Sequence, residues 1–420
     1  MIQHPWWIRV ILGTTLVLVP CLAPEVAQTQ SYEVLHNFTG AADGGNPFTG
    51  LTMDKGGSLY GTTAPSFAGG TGYGGVFRLK RVGSGWVFSP LYSFAGGSDG
   101  AEPVSPVEFG PDGTLYGTTN QGAEGGCYGG KGCGTVFRLQ PAATACKTAL
   151  CPWSETVLYR FTGGGDGGNP NGPLVFDQSG DIYGTARRGG QGVCEGYGCG
   201  TVYELTHSGN NWTQSVLYSF TGGSDEGLPD SGVIFDPSGN LYGTTQGCVG
   251  DNGTAFELTP AGLGWDYSTI FTFGGSAGYC PVAGLILDSM GNLYGATALS
   301  AAAFELTFSN GNWILSRFLS LGSGGGDCGP QDALVMDSTG NLYGTTYCGG
   351  ANGLGSVFKL TPSSGGWTYT DLHDFGGSDG AYPSCSLVLD SSGNLYGTAS
   401  QGGTGSACTG GCGVIFEITP

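Results

Sequence analysis

The sequence predicts an all-β chain closed into a seven-bladed β-propeller with four antiparallel strands per blade. Three observations carry this expectation. The string Leu-Tyr-Gly-Thr-Thr, or a near copy, returns with its tyrosine at Tyr60, Tyr116, Tyr183, Tyr242, Tyr294, Tyr343 and Tyr396, at intervals of 49 to 67 residues. Such a period marks a repeat architecture. Each copy divides into four short runs rich in Val, Ile, Tyr, Phe and Thr and bounded by Gly, Asn, Asp and Ser, which is the chemistry of strands. No longer run shows a helical period. A β-solenoid is the competing architecture, but its coils are usually shorter and need no four-strand meander.

Run a is apolar and ends in an acid, as in Pro173-Leu-Val-Phe-Asp177 and Gly232-Val-Ile-Phe-Asp236. A tight Asp-x-x-Gly-Asn turn follows, in which Asp can accept an Asx-turn bond and Gly supplies a positive φ. Run b is the Leu-Tyr-Gly-Thr-Thr string. Run c follows a Gly-rich loop, as in Gly200-Thr-Val-Tyr-Glu-Leu205, and run d opens with Trp, as in Trp212-Thr-Gln-Ser-Val-Leu-Tyr-Ser-Phe220. Six of the eight Trp residues (Trp86, Trp153, Trp212, Trp265, Trp313 and Trp367) hold that d position; Trp6 and Trp7 are the others. The phase of the runs predicts how the ring closes. The chain enters on a d run, Tyr32–Phe38, and leaves on a c run, Gly413–Ile418. Pairing the first with the last completes seven blades and leaves no half-built blade with a bare edge.

Composition agrees with a folded β-protein and narrows its setting. Of 420 residues, 85 are Gly and 21 are Pro, yet 39% are apolar and 12% aromatic, too many for a disordered chain. Charged residues make up 11%, with a net charge of −19, so the chain is a poor candidate for phosphate-backbone binding, and no nucleic-acid partner is expected. Residues 1–30 read as a signal peptide, with an apolar core at Val10–Leu22 and a cut near Ala27. A short membrane anchor is the rival reading, and the stretch is too short to span. Cys21 sits in a string like a lipoprotein box, with Pro20 where a small residue is usual. Residues 31–420 are then an exported propeller, secreted, periplasmic or on the cell surface, monomeric and not inserted in a membrane.

Cysteine usage fits export. Local spacing predicts disulfides Cys127–Cys133, Cys146–Cys151, Cys194–Cys199 and Cys408–Cys412. Cys248 is expected to pair with Cys280, and Cys348 with either Cys328 or Cys385, leaving one thiol. Zinc is the rival reading, but it needs thiolates from separate blades to converge.

Features that repeat are read as scaffold. The turn acids Asp54, Asp112, Asp177, Asp236, Asp288, Asp337 and Asp390, and the loop acids Asp43, Asp99, Asp166, Asp225 and Asp379, are expected to close loops by hydrogen bonding. The competing reading is a ring of calcium sites, each of which would need 6–8 oxygens. The mature histidines His36, His207 and His373 lie too far apart in the repeat for a shared metal centre. No Gly-x-Ser-x-Gly, His-Glu-x-x-His or P-loop string occurs, so no cofactor, metal or catalytic residue is assigned. Features that do not repeat are the site candidates. The b–c loops of blades 2 and 3 are the longest and carry Tyr128, Lys131, Arg187, Arg188, Glu195 and Tyr197. A Tyr beside an Arg suits a sugar face or an acidic group. The expected function is binding of a glycan, peptide or surface partner through these loops. The alternative is a secreted lyase or hydrolase with its site at the mouth of the central channel. The bland reading is that the two arginines pair with nearby acids.

The motifs Asp-x-x-Gly-Asn-Leu-Tyr-Gly-Thr-Thr, Gly-Thr-Val-Phe-Glu-Leu-Thr-Pro and Leu-Tyr-Ser-Phe-x-Gly-Gly-Ser-Asp-Gly recur in fixed order through residues 31 to 420. In this the chain resembles the bacterial GloVer tandem-repeat family, which brings no established activity. More distantly it is similar to NHL-type and streptogramin-lyase-like propellers, which range from binding modules to enzymes.

Overall fold

The computed structural model describes Met1 and residues 30–64, 72–123, 126–141, 153–209, 211–247, 252–322 and 328–419. The expected signal peptide and Cys21 lie outside the described residues. The strands form seven antiparallel sheets, one per repeat, arranged in a ring as a seven-bladed β-propeller. In blade 1 strand a is Thr52–Met53, b is Leu59–Thr63, c is Gly75–Val82 and d is Gly85–Ser93, paired in that order. Blade 3 alone gains a further short strand, Gly168–Pro170, paired to the end of its b strand. The b strands are buried along their length, save for the partly covered Arg187 of blade 3, whereas d strands such as Asn312–Ser320 alternate between covered and exposed residues. That pattern puts a and b toward the centre and d on the rim.

The ring closes as the phase of the repeat requires. Ser31–Asn37 runs antiparallel to Val414–Thr419, from Ser31 opposite Thr419 to Asn37 opposite Val414, with a bulge between Val34 and His36. The N-terminal strand thus becomes strand d of blade 7.

The repeated residues join blades. Each Trp at the head of a d strand packs on the b-strand Tyr of the preceding blade, as in Trp153 on Tyr60 and Trp265 on Tyr183; Trp86 on Tyr396 carries the same contact across the seam. Hydroxyls do the same work nearer the axis. The first Thr of the b string donates to a backbone carbonyl of the next blade: Thr62 to Ser105, Thr185 to Ser231, Thr244 to Ala283, Thr345 to Cys385, and Thr398 to Thr49 across the seam. Around the axis the backbones are close. A Cβ on Gly172 would lie 2.0 Å from the Gly232 nitrogen, so only glycine fits there.

The recurring acids close loops. Asp54 accepts from the Gly56 and Ser58 amides and the Tyr60 hydroxyl, and Asp337 from the Thr339 and Asn341 amides and the Tyr343 hydroxyl. Burial works to raise the Asp337 carboxyl, but the hydrogen bonds from Asn341 and Thr339 outweigh it and hold it down at about 2. In the d–a loops, Asp99, Asp166 and Asp225 each accept from a d-strand tyrosine hydroxyl (Tyr92, Tyr159, Tyr218) and a loop amide. In two blades a histidine replaces that tyrosine: His36 meets Asp43 at 3.3 Å and His373 meets Asp379 at 2.9 Å. These bonds account for the repeated acids as loop-closing acceptors.

Four disulfides occur among the described residues: Cys127–Cys133, Cys194–Cys199, Cys328–Cys348 and Cys408–Cys412. Cys348 therefore takes Cys328 and leaves Cys385 as the thiol. Cys146, Cys151 and Cys248 fall outside the described residues, so the pairs expected of them do too. No helix among the described residues is long and apolar enough to cross a membrane. The Cys385 sulfur is fully enclosed, donating to the Thr398 carbonyl at 3.1 Å, and burial pushes its pKa up to about 11. We expect Cys385 to resist maleimide in the folded protein and to react once guanidinium unfolds it, as mass spectrometry of the labelled peptide would show.

Candidate functional site

The b–c and d–a loops of blades 2 and 3 enclose a cleft of about 440 Å³. One wall is the blade 2 loop around Cys127, and the other is the blade 3 loop from Arg188 to Gly198, with Thr162–Gly164 of the d–a loop between them. Each wall is stapled by its own disulfide, Cys127–Cys133 or Cys194–Cys199. Backbone bonds fix the second wall further: the Tyr197 amide donates to the Cys194 carbonyl at 3.0 Å, and the Gly189 amide to the Tyr197 carbonyl at 2.8 Å. Tyr197 is 46% exposed. The Arg188 guanidinium lies 5.1 Å from the ring centroid and bonds Glu195 at 2.7 Å. Only 7% of the Arg188 side chain is exposed, against 50% of Glu195. Arg188 is thus a buried brace that holds a carboxylate and an aromatic ring at the surface.

The six residues singled out in the sequence do not form one cluster. Arg188 and Tyr197 line this cleft, and Glu195 stands beside it on Arg188. Arg187, the neighbouring strand residue, points to the opposite face, where its Nε lies 3.0 Å from Asp230 and its guanidinium bonds Gln246 at 2.6 Å. Both arginines therefore pair with acids. Lys131 lines a different cleft, of about 350 Å³, with Tyr73 and Glu102. Tyr128 belongs to a short 3-10 turn, Tyr128–Gly130, and its side chain is outside what is described.

A third cavity, about 110 Å³, lies on the axis and takes its lining from all seven blades, with Phe48, Val104, Asn171, Asp230, Val282 and Asp332 among its walls. Asp230 is held there by Arg187 and by the Asn171 amide at 2.6 Å. Asp332 takes the place that Thr49, Ser105 and Ser231 hold in other blades. It accepts from the Ala333 amide at 2.7 Å and the Ser386 amide at 3.0 Å, so one carboxylate ties blades 6 and 7 at the hub. Burial raises its pKa against the pull of those amides. Farther down the axis, the a-strand residues opposite the b-strand tyrosines are Thr52, Glu108, Val175, Ile234, Ile286, Val335 and Val388. Glu108 is the one acid in that ring. Burial, and then the charge of Asp332, pushes it up to about 7. Sequence reading missed both acids, and it missed Tyr73. The signals were present: Glu108 stands in an aliphatic column of the aligned repeat, and Gly72-Tyr73-Gly74 copies Gly196-Tyr197-Gly198.

Fold and loops together define a seven-bladed propeller with stapled surface loops. By sequence the chain belongs to the Gloeobacter/Verrucomicrobia repeat family, which matches residues 25–153, 125–307 and 300–420. No curated protein matches it by sequence. Among solved structures it is similar to virginiamycin B lyase from Staphylococcus aureus, with 13% identity, a TM-score of 0.56 and coverage of 93% of this chain and 99% of that one. It is also similar to the periplasmic gluconolactonase of Pseudomonas aeruginosa, with 16% identity, a TM-score of 0.53 and coverage of 86% and 99%. At such identities the likeness speaks for the propeller fold alone.

Proposed function

We propose that this protein is an exported binding module that takes a saccharide in the cleft walled by the stapled loops of blades 2 and 3. One observation carries this reading: Tyr197, a residue 46% exposed, has its ring braced by a guanidinium inside a cleft whose two walls are each closed by a disulfide. A sugar ring presents C–H groups on its face and hydroxyls on its edge. The Tyr197 ring suits the face, while the Glu195 carboxylate and the glycine-loop carbonyls suit the hydroxyls. Disulfides and backbone hydrogen bonds already hold the described residues of both walls, so contact there freezes little further motion. Four disulfides accord with an oxidising compartment, and residues 1–30 supply the export signal. A lyase or hydrolase at the channel mouth would need a general base open to substrate. There Asp230 is held by Arg187 and Asn171, and Asp332 by backbone amides.

The test is a glycan array on residues 31–420, followed by titration of the best hit. Tyr197→Ala should weaken binding about tenfold or more and leave the melting temperature unchanged. An unaltered affinity would place the site elsewhere, with the channel mouth the next place to look.

A further inference from the structure

We infer that the ligand is an extended neutral polysaccharide chain that runs over the rim from blade 1 to blade 3, with Tyr73 as a second stacking platform. This rests on the saccharide reading above and adds to it the length of the ligand and its charge.

Among the described residues, the Phe, Tyr and Trp residues more than a third exposed are Tyr73, Tyr197, Phe308, Phe318 and Tyr369. Phe308, Phe318 and Tyr369 lie on c and d strands of blades 5 and 6. Tyr73 and Tyr197 both stand in Gly-Tyr-Gly loops, on the face where the clefts open. Tyr73 is 51% exposed, yet its ring has a fixed seat. Gly96 lies under it with φ +79°, and a Cβ there would fall 2.3 Å from the nearest ring carbon. Only glycine lets the ring settle so close to the backbone. Tyr73 is held from the next blade as well, since its carbonyl accepts from the Glu102 amide at 2.8 Å. One tyrosine is thus seated on a bare backbone and the other on a guanidinium, and both offer ring surface to solvent without further ordering.

The clefts beside these rings follow one another around the rim. Tyr73 lines one of about 200 Å³ over blade 1 and shares the next, of about 350 Å³, with Lys131 of blade 2. The cleft of Tyr197, about 440 Å³, follows between blades 2 and 3. Successive clefts with repeated stacking rings suit a polymer of similar units rather than a single small molecule. Charge along them is sparse. Asp43 is the one charged residue lining the first cleft, Lys131 shares the second with Glu102, and Arg188 in the third is paired with Glu195 beside it. Although the chain carries −19 overall, no cleft here holds a cluster of one sign to select a uronate or an amine-bearing sugar, so a neutral chain fits.

The experiment is calorimetric titration of residues 31–420 with cellohexaose, maltohexaose, laminarihexaose and chitohexaose, each beside its own disaccharide. The hexasaccharide that binds should do so about tenfold more tightly than its disaccharide. Tyr73→Ala should abolish that length advantage and leave the disaccharide affinity alone, and Tyr73→Trp should preserve it, because stacking needs the ring and not the hydroxyl. Tyr197→Ala should weaken both lengths. If Tyr73→Ala leaves the hexasaccharide affinity unchanged while Tyr197→Ala reduces it, the extended track falls and the single-cleft reading stands. If Tyr197→Ala changes neither, the single-cleft reading falls as well. If none of the four chains binds, neutral-saccharide recognition is wrong for both clefts.

Discussion

Removing residues 31–38 should lower the melting temperature by about 10 °C or more, or prevent folding altogether. The segment carries the whole outer strand of blade 7, paired from Ser31 to Asn37 against Val414–Thr419. Its side chains also lock both flanks of that blade. Toward blade 6, the Tyr32 ring stacks on His373 at 3.7 Å and its hydroxyl donates to the Asp379 carbonyl at 2.6 Å. Toward blade 1, His36 stacks on Phe88 at 4.3 Å, and the fully buried Phe38 packs with Leu51, Leu59 and Phe77. Loss of a buried phenylalanine side chain alone costs about 3–5 kcal/mol, a large share of the ~5–15 kcal/mol that holds a typical domain together. The bond from Thr398 to the Thr49 carbonyl and the packing of Trp86 on Tyr396 would remain. They lie inside the missing strand, however, and would leave the c strand of blade 7 with an exposed edge. Phe38→Ala separates the two contributions, since it keeps the ladder and removes the ring; it should lose most of its 3–5 kcal/mol. A deletion variant that melts with the full chain would refute closure through this strand.

That the closure could be read in advance follows from the repeat itself. Strand b returns with its tyrosine in every blade because that residue packs against the next blade and bonds an acid, the turn acid in six blades and Glu204 in blade 3. A count of tyrosines is therefore a count of blades. The offset d run at the N-terminus then had one place to go. The repeated acids were legible for the same reason, since a residue present in each blade serves each blade.

What could not be read depends on direction and on contacts between distant segments. Arg187 and Arg188 are neighbours in sequence, yet the pleat of the strand sends them to different clefts, one to Asp230 and the other to Glu195. Tyr73 looks like an ordinary loop tyrosine until Gly96 of the next loop is found beneath it. The partner of Cys348 stayed open between Cys328 and Cys385 because spacing does not show which loop crosses which; Cys385 turns inward to Thr398 instead. The axial acids were hidden because no local motif marks a channel. Asp332 and Glu108 come within electrostatic reach of each other only when blades 2 and 6 face one another across the ring.

Glu108 has the other large expected effect, and it is a gain. Glu108→Leu should stabilise the protein by about 2 kcal/mol at pH 8 and by little at pH 4. The equivalent a-strand positions of the other blades hold Val, Ile and Thr, and at Glu108 desolvation, with the Asp332 charge adding to it, raises the carboxyl pKa from 4.5 to about 7. In the unfolded chain it ionises at the lower value. Below that value both states carry the proton, and the native state bears no penalty. Between the two values the unfolded chain has released its proton while the native ring retains it, so stability falls as pH rises. Above the higher value the carboxylate is charged in the channel and the penalty is complete. A shift of this size corresponds to about 3 kcal/mol; partial access to the channel reduces that toward 2. Leucine resembles the Val and Ile that blades 3 to 7 place at this position and carries no charge. Glu155 also titrates upward, chiefly through burial, and gives wild type and variant a common pH slope. The quantity to measure is therefore the difference between their melting temperatures at each pH. That difference should grow by several degrees from pH 4 to pH 8, and Glu108→Gln should show the same trend because it too removes the charge. A difference independent of pH would mean that the Glu108 carboxylate is not penalised in the channel, and that the ring of side chains around it holds enough water to solvate a full charge.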